Sequence, residues 1–119
     1  MNDDIEYMVK TYNTYELDWM GDKINTLSDL TRHHIIKKEN DGIDDINNYA
    51  LLTTYSHHLL HYLEDNYNNS YIRLNELFKE LNNSKKPPNS DYYKNVNIIL
   101  KKVKKDIKNK RRNRVNKRR

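Results

Sequence analysis

The chain has 119 residues, with 22 Lys or Arg against 17 Asp or Glu, and only 35% of its residues are hydrophobic. This length fits one small domain with a thin core and leaves little room for a deep pocket. The absence of cysteine excludes disulfides, thiolate zinc sites and a cysteine nucleophile. Because the chain has only two Gly and two Pro, long helices are expected.

The N-terminal third predicts one long amphipathic helix from about Asp3 to Lys38. Apolar side chains recur there at intervals of three and four residues, as on one face of an α-helix. The first of these side chains are Ile5, Met8, Tyr12, Tyr15 and Trp19. Gly21 lies where this face changes, and it either ends the helix or bends it. A turn is predicted at Glu39–Gly42, since Asn, Asp and Gly tolerate left-handed conformations.

A second helix is predicted to begin near Asp44 or Asp45. Its apolar face consists of Ile46, Tyr49, Leu52, Leu59, Leu60 and Leu63. A polar cluster, Asn66–Ser70, predicts a break near Asn68–Asn69. Another helical stripe then runs from Tyr71 to Leu81.

Asn82–Ser90 is the clearest boundary in the sequence, because Pro87 and Pro88 cannot continue a helix. Ser90 is the predicted N-cap of a last helix that begins at Asp91. Its apolar stripe consists of Tyr92, Val96, Ile99, Leu100, Val103 and Ile107.

These elements predict an all-α fold, either a small helical bundle or a long helical hairpin, whose C-terminal amphipathic helix runs into a basic tail. The predicted divisions are a helical body at residues 1–83, a proline-containing linker at 84–90, and the basic helix and tail at 91–119. The end of the tail, from about Lys108, is expected to be disordered alone because like charges repel.

Charge is distributed unevenly along the chain. Residues 101–119 carry twelve Lys or Arg and one acid, Asp106, whereas the preceding hundred residues hold ten basic and sixteen acidic side chains. Such asymmetry indicates a polyanionic partner. We expect nucleic acid, DNA rather than RNA, to be that partner. The predicted contacts are Lys101, Lys102, Lys104, Lys105, Lys108, Lys110, Arg111, Arg112, Arg114, Lys117, Arg118 and Arg119.

The tail has no aromatic residue after Tyr93, so it is predicted to sense phosphate charge without stacking on bases or reading their sequence. The alternative is a protein-interaction module, an inhibitor or assembly factor, whose basic C-terminal helix docks on an acidic partner surface. A homo-oligomer or larger assembly is expected, because self-association would complete a thin core.

The composition also suggests a setting. The chain is rich in Asn, Lys, Ile and Tyr, whose codons are AT-rich. This bias favours a viral or phage protein that lies inside the virion or acts in genome packaging. The N-terminal segment MNDDIEYMVK is acidic and polar, and no secretory signal is expected. The predicted location is therefore cytoplasmic or virion-internal. No membrane insertion is expected, since no apolar run approaches about 20 residues.

A histidine cluster offers a third hypothesis, a metal-dependent enzyme. His57 and His61 are four residues apart and share a helix face, with His58 between them, and such spacing can hold a metal. His33 and His34 would approach if their helix packed antiparallel. Because nothing in the sequence fixes a third ligand, half-buried or surface histidines are the favoured interpretation.

The paired acids at Asp3–Asp4 and Asp44–Asp45 are interpreted as helix caps and not as catalytic groups. No glycine-rich phosphate loop is present in the sequence, and no serine, histidine and aspartate arrangement is suggested. We therefore predict no catalytic residue, no metal ligand and no cofactor, and we expect that the protein is not an enzyme.

Overall fold

The computed structural model describes residues 3–117, with side chains as far as residue 111. Its α-helices are α1 (Asp3–Tyr12), α2 (Thr54–Asn66), α3 (Asn68–Ser84) and α4 (Ser90–Lys117). Two antiparallel strands, β1 (Leu30–His34) and β2 (Tyr49–Thr53), lie between α1 and α2 in the sequence. The prediction of an all-α fold is therefore wrong. The protein is mixed α/β: α1, α2 and α3 pack against the two-stranded sheet, and α4 packs against α3.

The single helix predicted from Asp3 to Lys38 is replaced by α1, a long loop and β1. α1 ends at Tyr12, and Asn13 takes a left-handed backbone conformation (φ 51°), which commonly terminates a helix. Trp19, in the loop, is fully buried. The regular spacing of apolar residues therefore continues into a loop that packs on the core.

The second predicted helix begins later than expected. Tyr49–Thr53 form β2 instead, and all five residues are buried. A strand buried on both faces has a continuous apolar run, which periodicity alone cannot distinguish from a helix segment. α2 starts only at Thr54, where the Thr53 hydroxyl accepts a hydrogen bond from Ser56 N (3.1 Å) as its N-cap.

The outer edge of β2 is covered by the loop that follows α1. Trp19 N donates to Leu51 O (3.1 Å), and Thr53 N donates to the Asp18 carboxylate (2.9 Å). The same carboxylate accepts from Met20 N (2.8 Å) and is fully buried. Asp18 thus fixes the loop against the sheet by satisfying backbone groups that would otherwise lack partners.

Asn48 holds the base of the loop between β1 and β2. Its Nδ2 donates to Ile36 O and Ile43 O (2.9 Å each), and its Oδ1 accepts from Ile36 N (2.9 Å). Gly42 lies so close that a Cβ there would be 1.8 Å from Ile36 O, so only glycine fits. This clamp positions the loop beside β1.

The break predicted near Asn68–Asn69 is confirmed, since α2 ends at Asn66 and α3 begins at Asn68. The boundary predicted at Asn82–Ser90 is also confirmed, because α3 ends at Ser84 and α4 begins at Ser90. Whether residues 1–83, 84–90 and 91–119 behave as separate divisions stays a prediction.

The N-cap of α4 is one residue earlier than predicted. Tyr92 N donates to Asn89 Oδ1 (2.8 Å), so Asn89 and not Ser90 supplies the capping oxygen. Amide and hydroxyl side chains both cap well, and composition alone does not choose between these neighbours.

One face of α4 belongs to the core. Its buried side chains are Tyr92, Val96, Ile99, Leu100 and Val103. The Tyr92 hydroxyl donates to Trp19 O (2.5 Å), which ties α4 to the loop after α1. The disorder expected from Lys108 is not observed in residues 108–117, which continue α4; residues 118–119 lie outside the described part of the chain. Among residues 3–117, no helix is long and apolar enough to cross a bilayer.

Candidate nucleic-acid interface and histidine pocket

Four lysines form one side of α4, which we call the α4 basic face: Lys101, Lys104, Lys105 and Lys108. Lys104, Lys105 and Lys108 follow Lys101 by three, four and seven residues. This spacing places all four lysines within an arc of about 100° around the helix axis. All four are exposed, whereas Val103 on the other side is buried. The core therefore fixes which side of α4 presents these charges.

The lysines of the α4 basic face form no ion pair with any acid among the described side chains. Lys102 and Arg111 lie on the same helix and are also exposed. Neighbouring cations without acidic partners repel one another, and a polyanion relieves that repulsion.

Lys110 behaves differently because it is turned toward Tyr67, the residue between α2 and α3. Its Nζ lies 3.4 Å from Asp106 Oδ2 and 5.1 Å from the centroid of the Tyr67 ring. The Tyr67 hydroxyl and the Asp106 carboxylate raise the pKa of Lys110, and hydrogen bonds from Tyr67 and Lys110 lower the pKa of Asp106. Because Asp106 offsets its charge, we expect Lys110 to contribute less to anion binding than its neighbours.

The remaining predicted contacts extend beyond the described side chains. The backbone of Arg112, Arg114 and Lys117 continues α4, and their side chains lie outside the described part of the chain. Arg118 and Arg119 lie outside it entirely.

A second feature, which we call the histidine pocket, joins β1 to α2. It has a volume of about 400 Å³ and opens beside the loop that follows β1. Its histidines are His33, His34, His57 and His61. Its basic residues are Arg32, Lys37 and Lys38. The β1–β2–α2 arrangement brings together histidines that are far apart in the sequence.

His33 is buried at the inner side of this pocket. Burial lowers its pKa from 6.5 to about 4, and the charges of His57 and His61 act in the same direction. The ring is therefore neutral at pH 7. Its Nε2 lies 2.8 Å from Asn75 Oδ1. Because that amide oxygen can only accept, Nε2 carries the proton and Nδ1 keeps a lone pair.

The tautomer of His57 is fixed in the same way. Its Nδ1 lies 2.8 Å from the Thr31 hydroxyl oxygen. The single Thr31 hydroxyl proton is donated to Leu52 O (2.8 Å), so the oxygen accepts from His57 Nδ1 and leaves a lone pair on Nε2. Burial lowers the pKa of His57. Such hydrogen bonds to the far nitrogen are typical of histidines that bind metals.

Two ring separations in the pocket are close to those of imidazoles that share a metal ion. The His33 and His57 centroids are 5.8 Å apart, and the His57 and His61 centroids are 4.9 Å apart. Two imidazoles on one metal, each with an N–metal distance of about 2.1 Å, have centroids roughly 5 Å apart. Within the described part of the chain, no group of three or more His, Cys, Asp or Glu side chains is placed to hold a metal ion.

The pocket also contains Glu64. Its carboxylate pairs with Lys37 and lies 3.6 Å from His61 Nδ1. The hydrogen bond from Lys37 lowers the pKa of Glu64, so this group is a carboxylate near neutral pH. Arg32 and Lys38 each lie 3.8 Å from an acidic oxygen, on Asp4 and Asp44. These partly exposed ion pairs are weak, and a phosphate could compete for the cations.

The sequence identified only part of this pocket. The prediction that His57 and His61 share a helix face is confirmed by their stacked rings. His58 is exposed and does not line the pocket. His33 does approach, but on a strand, and not through the antiparallel helices that were expected.

Comparisons with protein-family models, with curated proteins and with solved structures give no match for this chain. Functional inference for this protein therefore depends on the geometry and charge of the two features described above.

Proposed function

We propose that the protein binds nucleic acid, DNA in the first instance, through the α4 basic face and without sequence preference. The observation that supports this is the set of exposed lysines, unpaired with any described acid, on one side of a helix whose other side is in the core. Lysines that meet phosphates release condensed counterions, and this drives binding to any sequence. A cytoplasmic or virion-internal setting and a homo-oligomeric or larger assembly remain predictions.

The test removes the lysine charges of the α4 basic face by substitution and keeps the buried side chains of α4. Truncation before Lys101 would also remove the buried side chain of Val103, so the better variant combines Lys101→Gln, Lys104→Gln, Lys105→Gln and Lys108→Gln. We expect its affinity for duplex DNA of scrambled sequence, measured by fluorescence anisotropy, to fall at least about tenfold. The slope of log affinity against log salt should become shallower by up to about 4.

A matched control removes the same amount of charge elsewhere. It replaces four other exposed lysines, Lys10, Lys23, Lys79 and Lys86, with glutamine. This variant should keep most of the affinity of the wild-type protein. Equal losses in the two variants would show that total charge, and not the α4 basic face, determines binding.

The same measurements test the alternative of a protein-interaction module. In that case duplex DNA would bind weakly and with little dependence on salt, and a stoichiometric protein complex would be recovered with the wild-type chain. The loss of that complex in the α4 variant, with its retention in the control variant, would favour an acidic protein partner.

We propose metal-dependent hydrolysis of phosphodiester bonds as a second candidate function, which the histidine pocket favours. The specific observation is that His33 Nδ1 and His57 Nε2 keep lone pairs, because Asn75 and Thr31 occupy the opposite nitrogens. His61 would be the third ligand after a side-chain rotation, which its 56% exposed side chain permits. This candidate stands against the prediction that the protein is not an enzyme.

The remaining groups of the pocket have corresponding roles. Arg32 and Lys38, whose ion pairs are weak, would attract the phosphate of a substrate to the pocket. A divalent ion on three imidazoles supplies a Lewis acid and an activated water when bound.

His58 provides the control for this second function. We expect His57→Gln to lower the affinity for Zn²⁺ or Ni²⁺ at least about tenfold in calorimetry and to abolish cleavage of plasmid DNA in the presence of added divalent ions. His58→Gln, on the exposed side of the same helix, should leave both unchanged. Cleavage that persists in EDTA, or equal effects of the two substitutions, would rule against a metal site in the histidine pocket.

A further inference from the structure

A groove separate from the histidine pocket lies between the loop after α1, α2 and α4, and we call it the α2–α4 groove. Its volume is about 320 Å³. The residues that matter here are Asp22, Tyr55, Leu59, Leu100, Lys101 and Lys104. Two lysines of the α4 basic face thus share a groove with a tyrosine from a different helix.

Tyr55 is a large aromatic side chain that the core does not use. It lies in the first turn of α2 and is 61% exposed. Leu59, one turn further along the helix, is partly buried and packs against the core. The groove is therefore lined by an exposed aromatic side chain, an apolar side chain and two exposed lysines.

We infer that the α2–α4 groove is a subsite for single-stranded nucleic acid, in which a base stacks on Tyr55 while the adjoining phosphates meet Lys101 and Lys104. This inference rests on the proposed binding of nucleic acid by the α4 basic face. It adds that the protein prefers single strands to duplexes. An aromatic ring beside a row of cations is the usual combination for binding single strands without sequence preference.

Asp22 also lines the groove and adds a carboxylate to it. Its Oδ2 accepts a hydrogen bond from the Thr53 hydroxyl (2.7 Å), which holds the carboxylate in place. A phosphate inside the groove would meet this negative charge, whereas a neutral base would not. The phosphates are therefore expected at the lysines, and the base is expected at Tyr55.

This arrangement favours single strands over duplexes. The bases of a duplex are stacked on one another and paired, so their faces are not available to Tyr55. Because the sequence contains no aromatic residue after Tyr93, the tail alone was predicted to bind without stacking on bases. The fold changes that expectation because Tyr55, distant from the tail in sequence, lines the same groove as Lys101 and Lys104.

The test compares oligo(dT), an abasic oligonucleotide of equal length and duplex DNA by fluorescence anisotropy on the full chain. We expect Tyr55→Ala to weaken binding of oligo(dT) by about tenfold, to the level of the abasic strand, with duplex affinity unchanged. Tyr55→Phe keeps the ring and should bind oligo(dT) as the wild-type protein does. Tyr7→Ala is the matched control, because Tyr7 on α1 is 59% exposed, and it should have no effect.

The outcomes separate this inference from the proposed function. If the wild-type protein binds duplex and oligo(dT) but Tyr55→Ala changes neither, the stacking subsite is wrong and the α4 basic face stands. The same conclusion follows if the abasic strand binds the wild-type protein as tightly as oligo(dT) does. If the wild-type protein binds none of the three, the proposed function fails together with the inference.

Discussion

His33 illustrates how the fold sets the chemistry of one side chain. It is a polar residue on β1 with only 4% of its surface exposed. The rings of His57 and Phe78 stand at steep angles to it, with centroids 5.8 and 5.9 Å away. A charged imidazolium would be poorly solvated there, so the folded protein holds this ring neutral, with its proton on the nitrogen that faces Asn75.

This burial predicts a pH dependence of stability. The pKa of His33 falls from 6.5 to about 4, so between these values the unfolded chain binds more protons than the folded one. The contribution of His33 to stability is therefore fully present above about pH 6.5 and is lost as the pH falls toward 4, by roughly 3 kcal/mol at most. Urea unfolding of the protein in EDTA at several pH values measures this loss.

The substitution His33→Gln separates the pH dependence of stability that His33 causes from the pH dependence that acidic residues cause. Glutamine can still donate a hydrogen bond to Asn75 but does not titrate. The free energy of unfolding of the variant should therefore depend less steeply on pH between about 6.5 and 4. Parallel curves for the two proteins would show that His33 is not the group responsible.

At this scale the sequence reveals candidate side chains but not their partners. The spacing of His57 and His61 is visible in the sequence and correctly predicts a shared face. The groups that fix the tautomers are not visible, because Asn75 is 42 residues from His33 and Thr31 is 26 residues from His57. Only the paired strands and the packing of α2 and α3 make these neighbours.

Among the elements, the sequence predicts the later helices well and the strands poorly. The stripes from Tyr71 and from Tyr92 lie in α3 and α4, where a repeat of three and four residues continues for several turns. In β1 the buried side chains are Leu30 and His33, three residues apart, so this strand shows no strict alternation. β2 is buried on both faces, so it lacks the alternation of a half-exposed strand.

The start of α4 provides a prediction for an element. Asn89→Ala removes the amide oxygen that accepts from Tyr92 N and should lower the free energy of unfolding by about 1 kcal/mol. Ser90→Ala lies one residue later, inside the helix, and should change it by less than about 0.5 kcal/mol. Chemical denaturation of both variants measures these changes. A larger loss of unfolding free energy for Ser90→Ala than for Asn89→Ala would show that Ser90 is the N-cap, as the sequence predicted.

For the whole molecule, the notable feature is a single core that includes α4. Trp19 contacts Tyr12 from α1 (ring centroids 4.9 Å apart) and Phe78 from α3 (6.4 Å). Its carbonyl accepts the hydroxyl proton of Tyr92 from α4. Although the sequence suggests a separate basic segment after the proline linker, the first turns of that segment are packed on the body.

This shared core predicts one cooperative unfolding transition. Trp19 is the only tryptophan, so its fluorescence reports on the centre of the core, whereas far-UV circular dichroism reports on all helices. The two signals should give the same urea midpoint. If the helical signal is lost in a separate step, residues 91–119 unfold independently and the predicted division of the chain is real.

The loop that Asn48 clamps has a consequence for protein engineering. Asn48 hydrogen-bonds to Ile36, and Gly42 packs closely against the same residue. Lys38–Asn40 form an exposed 3₁₀ turn at the tip of the loop, between Ile36 and Gly42. Extra residues inserted at this tip would leave the clamp and the strand register intact. The tip is therefore a place where a peptide tag or a foreign recognition loop can be grafted next to the histidine pocket.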